Sequence, residues 1–382
     1  MSHVHVCLVS EQTIPNILSI YHFKPDEVLF VTTHKMEQLH KTDHIINALN
    51  QVGIELKSQE KVIVLEDSLL DCKKKIEKWI AGKEEDEFTV NLTCGTKIMS
   101  IAAYDYFKDY CSQMIYIPVG ENYFITPYPK KVVQTPVQLK LRLTVEQYLS
   151  AYGLRVVNLT KISENHSNAE KRKDISNWII KNYDSIKPLL ERLGEKLRKH
   201  RNEKTGFQWN SSNIQVSSEE EKFFHMFEFD YINGNYTKHF TQSDIIYITG
   251  GWLEEFCYNE LLPFKDYGID DIVIGICLEA GGRTNEFDVM FTKDNALYTV
   301  ECKSLDQNDD RKTDALYKIG ALQKDFGLRA ESFFVSTSPH ILSDGRLRQS
   351  VQARAEQFKT TVIPPNEVRR FAEIVAKKLS IK

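Results

Sequence analysis

The sequence predicts two α/β domains in tandem, joined by a small helical connector, and three features carry that prediction. Over about the first 125 residues, short β-rich apolar runs alternate with stretches of helical spacing. That is the pattern of a mostly parallel sheet with helices on both faces, because parallel neighbours need a crossover between them. From Pro136 to about Ser217 the composition turns polar and charged, and beyond it strand signals return as hairpins. The expected boundaries are 1–135, 136–217 and 218–382.

In chain order, Val4–Val9 and Glu27–Val31 read as strands flanking a helical pattern through Ile17, Leu18 and Tyr21. Helical spacing resumes from Met36 to Val52, with Gly53 as its C-cap. Lys61–Leu65 is a third strand, and Ser68 caps a helix carrying Leu69, Leu70, Ile76, Trp79 and Ile80. Glu87–Leu92 is a fourth strand, Thr96–Tyr110 a fourth helix, and strands at Met114–Pro118 and Tyr123–Thr126 close a Rossmann-like unit.

In such sheets ligands gather outside the carboxyl ends of the strands. Two loops there are chemically loaded. Ser10-Glu-Gln-Thr-Ile-Pro-Asn16 is rich in hydroxyl and amide groups, with Ser10, Gln12 and Thr13 as candidate contacts. In Asn91-Leu-Thr-Cys-Gly-Thr-Lys-Ile-Met99, Gly95 allows close backbone approach, Thr96 caps the helix, and Lys97 adds charge beside free N–H groups. This loop suits a phosphate, although it has neither the Walker A spacing nor the dinucleotide Gly-x-Gly-x-x-Gly turn.

The connector opens with Lys140-Leu-Arg-Leu-Thr-Val-Glu146 and carries a polar run from Glu164 to Asp174, then a stripe of Ile175, Trp178, Ile179 and Tyr183. A basic helix follows, Lys187 to Arg201, whose Lys196, Arg198, Lys199 and Arg201 read as a solvated face.

The third segment centres on Thr299-Val-Glu-Cys-Lys-Ser304. As a strand it sets Glu301 and Lys303 on one face and Cys302 on the other. Thirteen residues upstream of Glu301, Asp288 lies on a second strand, Glu286–Met290, and Lys293-Asp-Asn295 turns between the two. Apolar neighbours such as Phe287, Val289 and Val300 mark interior strands, where an unpaired carboxylate is costly. An Asp and a Glu converging beside a Lys can hold a divalent metal and leave the Lys to orient water or offset charge on a phosphate. That is the minimal equipment for hydrolysing a phosphodiester. Upstream, Gly250-Gly-Trp-Leu-Glu254 opens a helix from Trp252 to Leu261, with Glu254 and Glu255 both available. A helix from about Asp310 to Asp325 carries Lys318 and Gln323, and Arg346, Arg348 and Arg354 are candidates to line a groove.

Bulk properties narrow the class. The 382-residue chain has a formal charge of −4, which excludes a globally basic nucleic-acid coat. Its seven cysteines include no Cys-x-x-Cys pair, as expected of reduced intracellular thiols rather than a disulfide framework or a structural zinc site. With no long uninterrupted apolar run, a soluble cytoplasmic protein without membrane contact is expected.

Asp288…Glu301-Cys302-Lys303, with Glu254 on the first core helix, resembles the PD-(D/E)xK restriction-endonuclease-like nucleases, Phe287 standing where the motif's nominal Pro would be. Val9–Leu18 and Asn91–Met99 together resemble the CARF domains, CRISPR-associated sensors of cyclic oligoadenylate, and above all the branch fused to such a nuclease. Members commonly show Gly-Gly-Thr-Lys, and Cys94 here replaces the first Gly. The resemblance implies a homodimer that binds cyclic tetra-adenylate across its two-fold axis, with Ser10, Gln12 and Thr13 meeting ribose or base and Thr93, Cys94, Gly95, Thr96 and Lys97 around the phosphates. It further implies Mn²⁺ or Mg²⁺ on Glu254, Asp288 and Glu301, assistance from Lys303, and cleavage of DNA or RNA, preferentially single-stranded, with duplex DNA as a further substrate. Glu254 matches the family pattern better than Glu255, and Lys318 is the stronger helix candidate. The rival expectation is a non-catalytic, ligand-responsive regulator that binds nucleic acid without cutting it.

Overall fold

The computed structural model describes residues 1–110, 112–129, 135–211, 215–280, 282–304, 316, 320 and 324–381. Strands β1 (His3–Leu8), β2 (Glu27–Thr33), β3 (Ser58–Val64), β4 (Glu87–Asn91), β5 (Ser112–Tyr116), β6 (Tyr123–Tyr128) and β7 (Val137–Gln138) form one sheet in the order β3-β2-β1-β4-β5-β6-β7. The first five are parallel, and the last two add antiparallel. Helices α1 (Ile14–Phe23), α2 (His34–Gln38), α3 (Lys41–Gln51), α4 (Leu69–Ile80) and α5 (Lys97–Phe107) cover it. One face buries Ile17, Leu18, Ile45 and Leu49, and the other buries Cys72, Ile76, Ala102 and Phe107. Ser68 and Thr96 cap their helices as expected, accepting from the N–H groups of Asp71 and Met99.

The single helix expected over Met36–Val52 is two helices. His40, in the left-handed region at φ 52°, breaks the chain between them. Glu37 stabilises the break by accepting from the hydroxyls of Thr32 and Thr42 and pairing with Lys61 at 2.9 Å.

The connector read as one unit, 136–217, is divided between two cores. Helix α6 (Val145–Ala151) and its approach bury Leu139, Leu143, Tyr148 and Leu149 in a core shared by the first domain and C-terminal strand residues such as Ile276, Leu278 and Met290. Beyond β8 (Arg155–Val156), helices α7 (Leu159–Lys171), α8 (Lys173–Lys181) and α9 (Tyr183–Leu197) bury Ile179, Ile186, Leu190 and Leu193 in the C-terminal core. The apolar stripes decide this: each side chain goes to the nearest unfilled core, and composition alone does not say which.

A small antiparallel sheet, β9 (Phe207–Asn210) with β10 (Asp230–Ile232) and β11 (Asn235–Phe240), flanks helix α10 (Ser218–Met226). After α11 (Gln242–Ile246) and a wide turn at Tyr247–Gly251 comes α12 (Trp252–Leu261). The C-terminal sheet takes in β12 (Asp271–Ala280), β13 (Arg283–Lys293), β14 (Ala296–Lys303) and β15 (Ala330–Ser336), then, past the short β16 (Leu342–Ser343) and β17 (Arg346–Leu347), β18 (Thr360–Ile363). Its order is β18-β15-β14-β13-β12-β8, mixed in direction, with β13 and β14 in its interior. The strand β18 and the helix Gln349–Gln357 before it were not signalled by the sequence. The C-terminal helix spans Phe371–Leu379 after a 3₁₀ segment at Pro365–Arg370. Among the described residues no helix is long and apolar enough to cross a membrane.

Candidate functional site

The β13–β14 hairpin turns through Asp294 and Asn295, both in the left-handed region at φ 52° and 57°. That conformation fixes a two-residue turn and therefore the register. Pairing runs from Lys293↔Ala296 to Val289↔Val300, so the next positions along, Asp288 and Glu301, face each other. The Cys302 N–H donates to Asp288 Oδ2 at 2.6 Å, and Lys303 Nζ lies 2.8 Å from Glu301 Oε1. Glu301 is 5% exposed.

Electrostatics draw Glu254 into the same group. Its carboxyl is pushed up to about 7, first by burial and then by Glu286, with Glu301 adding to the effect and Lys303 and Arg201 opposing it. Burial drives Asp288 well above the usual carboxylate range, and the charges of Glu301 and Glu254 drive it further. Burial pulls the Lys303 amine down, but Glu301, Asp288 and Glu254 outweigh it and hold the amine protonated. Three acids from separate elements thus act on one another around a single lysine.

The two glutamates of α12 differ in their partners. Glu255 is buried against Arg172, which reaches its two oxygens at 2.5 and 3.1 Å. Among the described residues Glu254 has no such partner, and its charge acts on Asp288 and Lys303. Glu286, two residues before Asp288 on its strand, and Arg201, which the sequence reading placed on a solvated face, both act electrostatically on Glu254. The period of two along a strand was available as a signal for Glu286, whereas Arg201 had none. Its neighbour Lys196 instead lies over the Trp209 ring. Arg348 donates to the His340 carbonyl, and Lys318 and Gln323 lie outside the described residues.

Among the described residues no three His, Cys, Asp or Glu side chains lie close enough, as they stand, to enclose a metal ion. The donor chemistry nevertheless fits a hard divalent cation. The side chains that would bind it offer carboxylate oxygens, largely withdrawn from water.

In the N-terminal domain the two sensor loops meet. Gly95, at φ 79°, takes a conformation that side chains avoid, and a Cβ there would lie 2.9 Å from Leu8 Cβ. Among the described residues the N–H groups of Gly95, Thr96 and Lys97 have no acceptor, and the Lys97 side chain is exposed without a partner. The hydroxyls are already engaged. Thr93 donates to Asn91 Oδ1 and accepts from Ile117 N–H, while Thr96 donates to the Glu66 carbonyl. Cys94 is buried with its thiol on the Gln12 carbonyl. Ser10 Oγ bonds to the Gln12 backbone. Thr13 is fully buried and donates to the Ala151 carbonyl at 2.6 Å, so its hydroxyl anchors the loop and does not face the cleft.

Residues 4–148 match the family profile of the Card1 CARF domain, and residues 242–381 that of the Card1-like endonuclease domain. The chain belongs to the Card1-like CARF-domain nucleases. It is similar in fold to Can2 from Sulfobacillus thermosulfidooxidans, solved in complex with cyclic tetra-adenylate, at 19% identity and a TM-score of 0.77, covering 97% of this chain and 98% of that one. Protein VC1899 from Vibrio cholerae superposes with a TM-score of 0.78 at 19% identity, covering 99% and 98%. A type III CRISPR defence DNA nuclease activated by cyclic oligoadenylate is similar at 15% identity and a TM-score of 0.51, covering 94% of this chain and 52% of that one. No curated protein matches the chain. The mixed α/β architecture, with an N-terminal CARF domain and a C-terminal endonuclease domain, is that of the family.

Proposed function

We propose that this protein is a homodimeric, metal-dependent endonuclease switched on by cyclic oligoadenylate in type III CRISPR antiviral defence, cutting single-stranded DNA or RNA in preference to duplex. The convergence of Glu254, Asp288 and Glu301 on Lys303, inside an endonuclease domain and in one chain with a CARF domain, carries the reading. The Can2 complex supports cyclic tetra-adenylate as the activator, since two copies of the loops around a two-fold axis match a ring of that symmetry. The sensor is 1–135 and the nuclease 218–382, with the connector between them shared by the two cores.

Glu254, Asp288 and Glu301 would hold Mn²⁺ or Mg²⁺, which when bound supplies an activated water and neutralises phosphate charge. Lys303, kept protonated by its neighbours, orients the attacking water and offsets charge on the phosphate. Burial and mutual repulsion favour the protonated carboxyls of Asp288 and Glu254, so both would have to be ionised to hold the cation. In the sensor, the N–H groups of Gly95, Thr96 and Lys97, with the Lys97 amine, take phosphates, and Ser10 and Gln12 meet ribose or base. Thr93, Cys94 and Thr13 hold the loops in shape.

The test is cleavage of labelled single-stranded and duplex substrates by purified protein with Mn²⁺, with and without cyclic tetra-adenylate, beside Glu301→Ala. Activator-dependent cutting that the substitution abolishes is expected. Cutting that survives Glu301→Ala rejects the assignment.

A further inference from the structure

Gln12 belongs to the sensor cleft, yet its side chain is bonded to the effector. Its Oε1 accepts from the Tyr152 hydroxyl at 3.0 Å and from the Leu328 N–H at 3.2 Å. A backbone N–H can only donate, so the amide orientation is fixed: oxygen towards Leu328 and NH₂ away from it. Among the described residues that NH₂ donates to nothing. The second sensor loop joins at the same residue through the Cys94 thiol on the Gln12 carbonyl.

From Leu328 the path to the acidic cluster is short and packed. The Tyr148 hydroxyl donates to the Phe326 carbonyl at 2.8 Å. Phe326, 2% exposed, meets the Phe287 ring edge-on at 5.6 Å, and Phe287 directly precedes Asp288. The Arg329 carbonyl accepts from the Leu297 N–H, and Ala330 begins the strand that pairs with β14 up to Lys303. Between Phe326 and Leu328 the chain passes so close to Tyr152 that a Cβ on Gly327, at φ 82°, would lie 2.2 Å from Tyr152 Oη.

We propose that Gln12 is a latch that holds segment 326–330 against the sensor and keeps the nuclease in its resting state until the activator binds. The proposal rests on the activator reading above and names how that site is regulated. A cyclic oligoadenylate drawing on the Gln12 amide competes with the two contacts its oxygen makes. Only a contact that differs between the two states can shift the balance between them, and this one joins the ligand loop to the segment packed beside Asp288.

The test uses Tyr152→Phe, which keeps the buried ring, removes one latch donor and leaves the cleft residues in place. Loss of one neutral hydrogen bond predicts a roughly 5-fold rise in activator-free cleavage, and half-maximal activation at a correspondingly lower cyclic tetra-adenylate concentration. Gly327→Ala, which forces the segment off Tyr152, is expected to act in the same direction. Unchanged or lower activator-free cleavage in Tyr152→Phe overturns the latch. Hydrogen exchange of the amides at 326–330 in the wild-type protein separates this failure from failure of the nuclease reading. Faster exchange on adding cyclic tetra-adenylate supports the latch even if no substrate is cut, and unchanged exchange overturns it even if cutting is activator-dependent.

Discussion

Arg172 and Glu255 form a two-pronged ion pair between the connector and α12, at 2.5 and 3.1 Å, with side chains only 14% and 9% exposed. The guanidinium also lies over the Tyr247 ring at 4.5 Å and donates to Ser243 Oγ. One residue therefore ties α7 to three points around the start of the helix that carries Glu254. Breaking a buried pair from one side leaves a desolvated charge behind, so Arg172→Ala is expected to cost about 3–5 kcal/mol. Replacing both partners, as Arg172→Met with Glu255→Leu, is expected to recover most of that loss. Urea denaturation of the two variants checks it, and equal destabilisation in both refutes the pairing account.

Asp288 opposes the stability of the metal-free fold. Its carboxyl is driven well above the usual range by burial and by Glu301 and Glu254, so ionising it near neutral pH costs free energy. Asn keeps an oxygen for the Cys302 N–H and removes the charge. Asp288→Asn is therefore expected to stabilise the metal-free protein by about 1–2 kcal/mol at pH 8 and to abolish cleavage. A melting temperature below that of the wild-type protein contradicts this.

The same cause sets a pH dependence. Glu254 ionises near 4.5 when unfolded and near 7 when folded, so between those values the folded state holds the extra proton. Metal-free stability then falls as pH rises through that window, by up to roughly 3 kcal/mol from this group. Divalent cations require the ionised carboxylates, so Mn²⁺ affinity is expected to rise over the same range and to offset the loss. Melting curves from pH 5 to pH 8, with and without Mn²⁺, measure both; a metal-free protein more stable at pH 8 than at pH 5 contradicts the sign.

Much of this was legible in residue order. Strand and helix alternation specified the first sheet because period and crossover length are local properties. The hairpin follows from strand signals on either side of Lys293-Asp-Asn295, whereas the two-residue turn at Asp294 and Asn295 that sets its register is visible only in the backbone. Glu254 could not be told from Glu255 by order alone. The distinction lies in Arg172, more than 80 residues away, and only tertiary packing brings it there. Arg201 was read as a solvated cation for the same reason, since its relation to Glu254 crosses two domains of sequence. Thr13 was misleading in a different way. A hydroxyl in a ligand loop suggests contact, but here it satisfies a buried carbonyl of α6, a requirement invisible until the helix is placed.

That contrast gives the last prediction, within the sensor. Lys97 is exposed and unpaired among the described residues, and its N–H and those of Gly95 and Thr96 have no acceptor, so its removal is expected to leave the fold intact. Lys97→Ala is expected to weaken cyclic tetra-adenylate binding by about 10- to 100-fold, the range of a charge-assisted contact, and to flatten its salt dependence. Stability should change by less than about 0.5 kcal/mol. Thr13→Val leaves the Ala151 carbonyl unsatisfied in the interior, so it is expected to cost about 1–3 kcal/mol of stability, with any effect on binding following from the loosened loop. Calorimetric titration with cyclic tetra-adenylate, paired with denaturation of each variant, separates the two roles. A destabilised Lys97→Ala with unaltered binding would reverse the assignment of the phosphate contact.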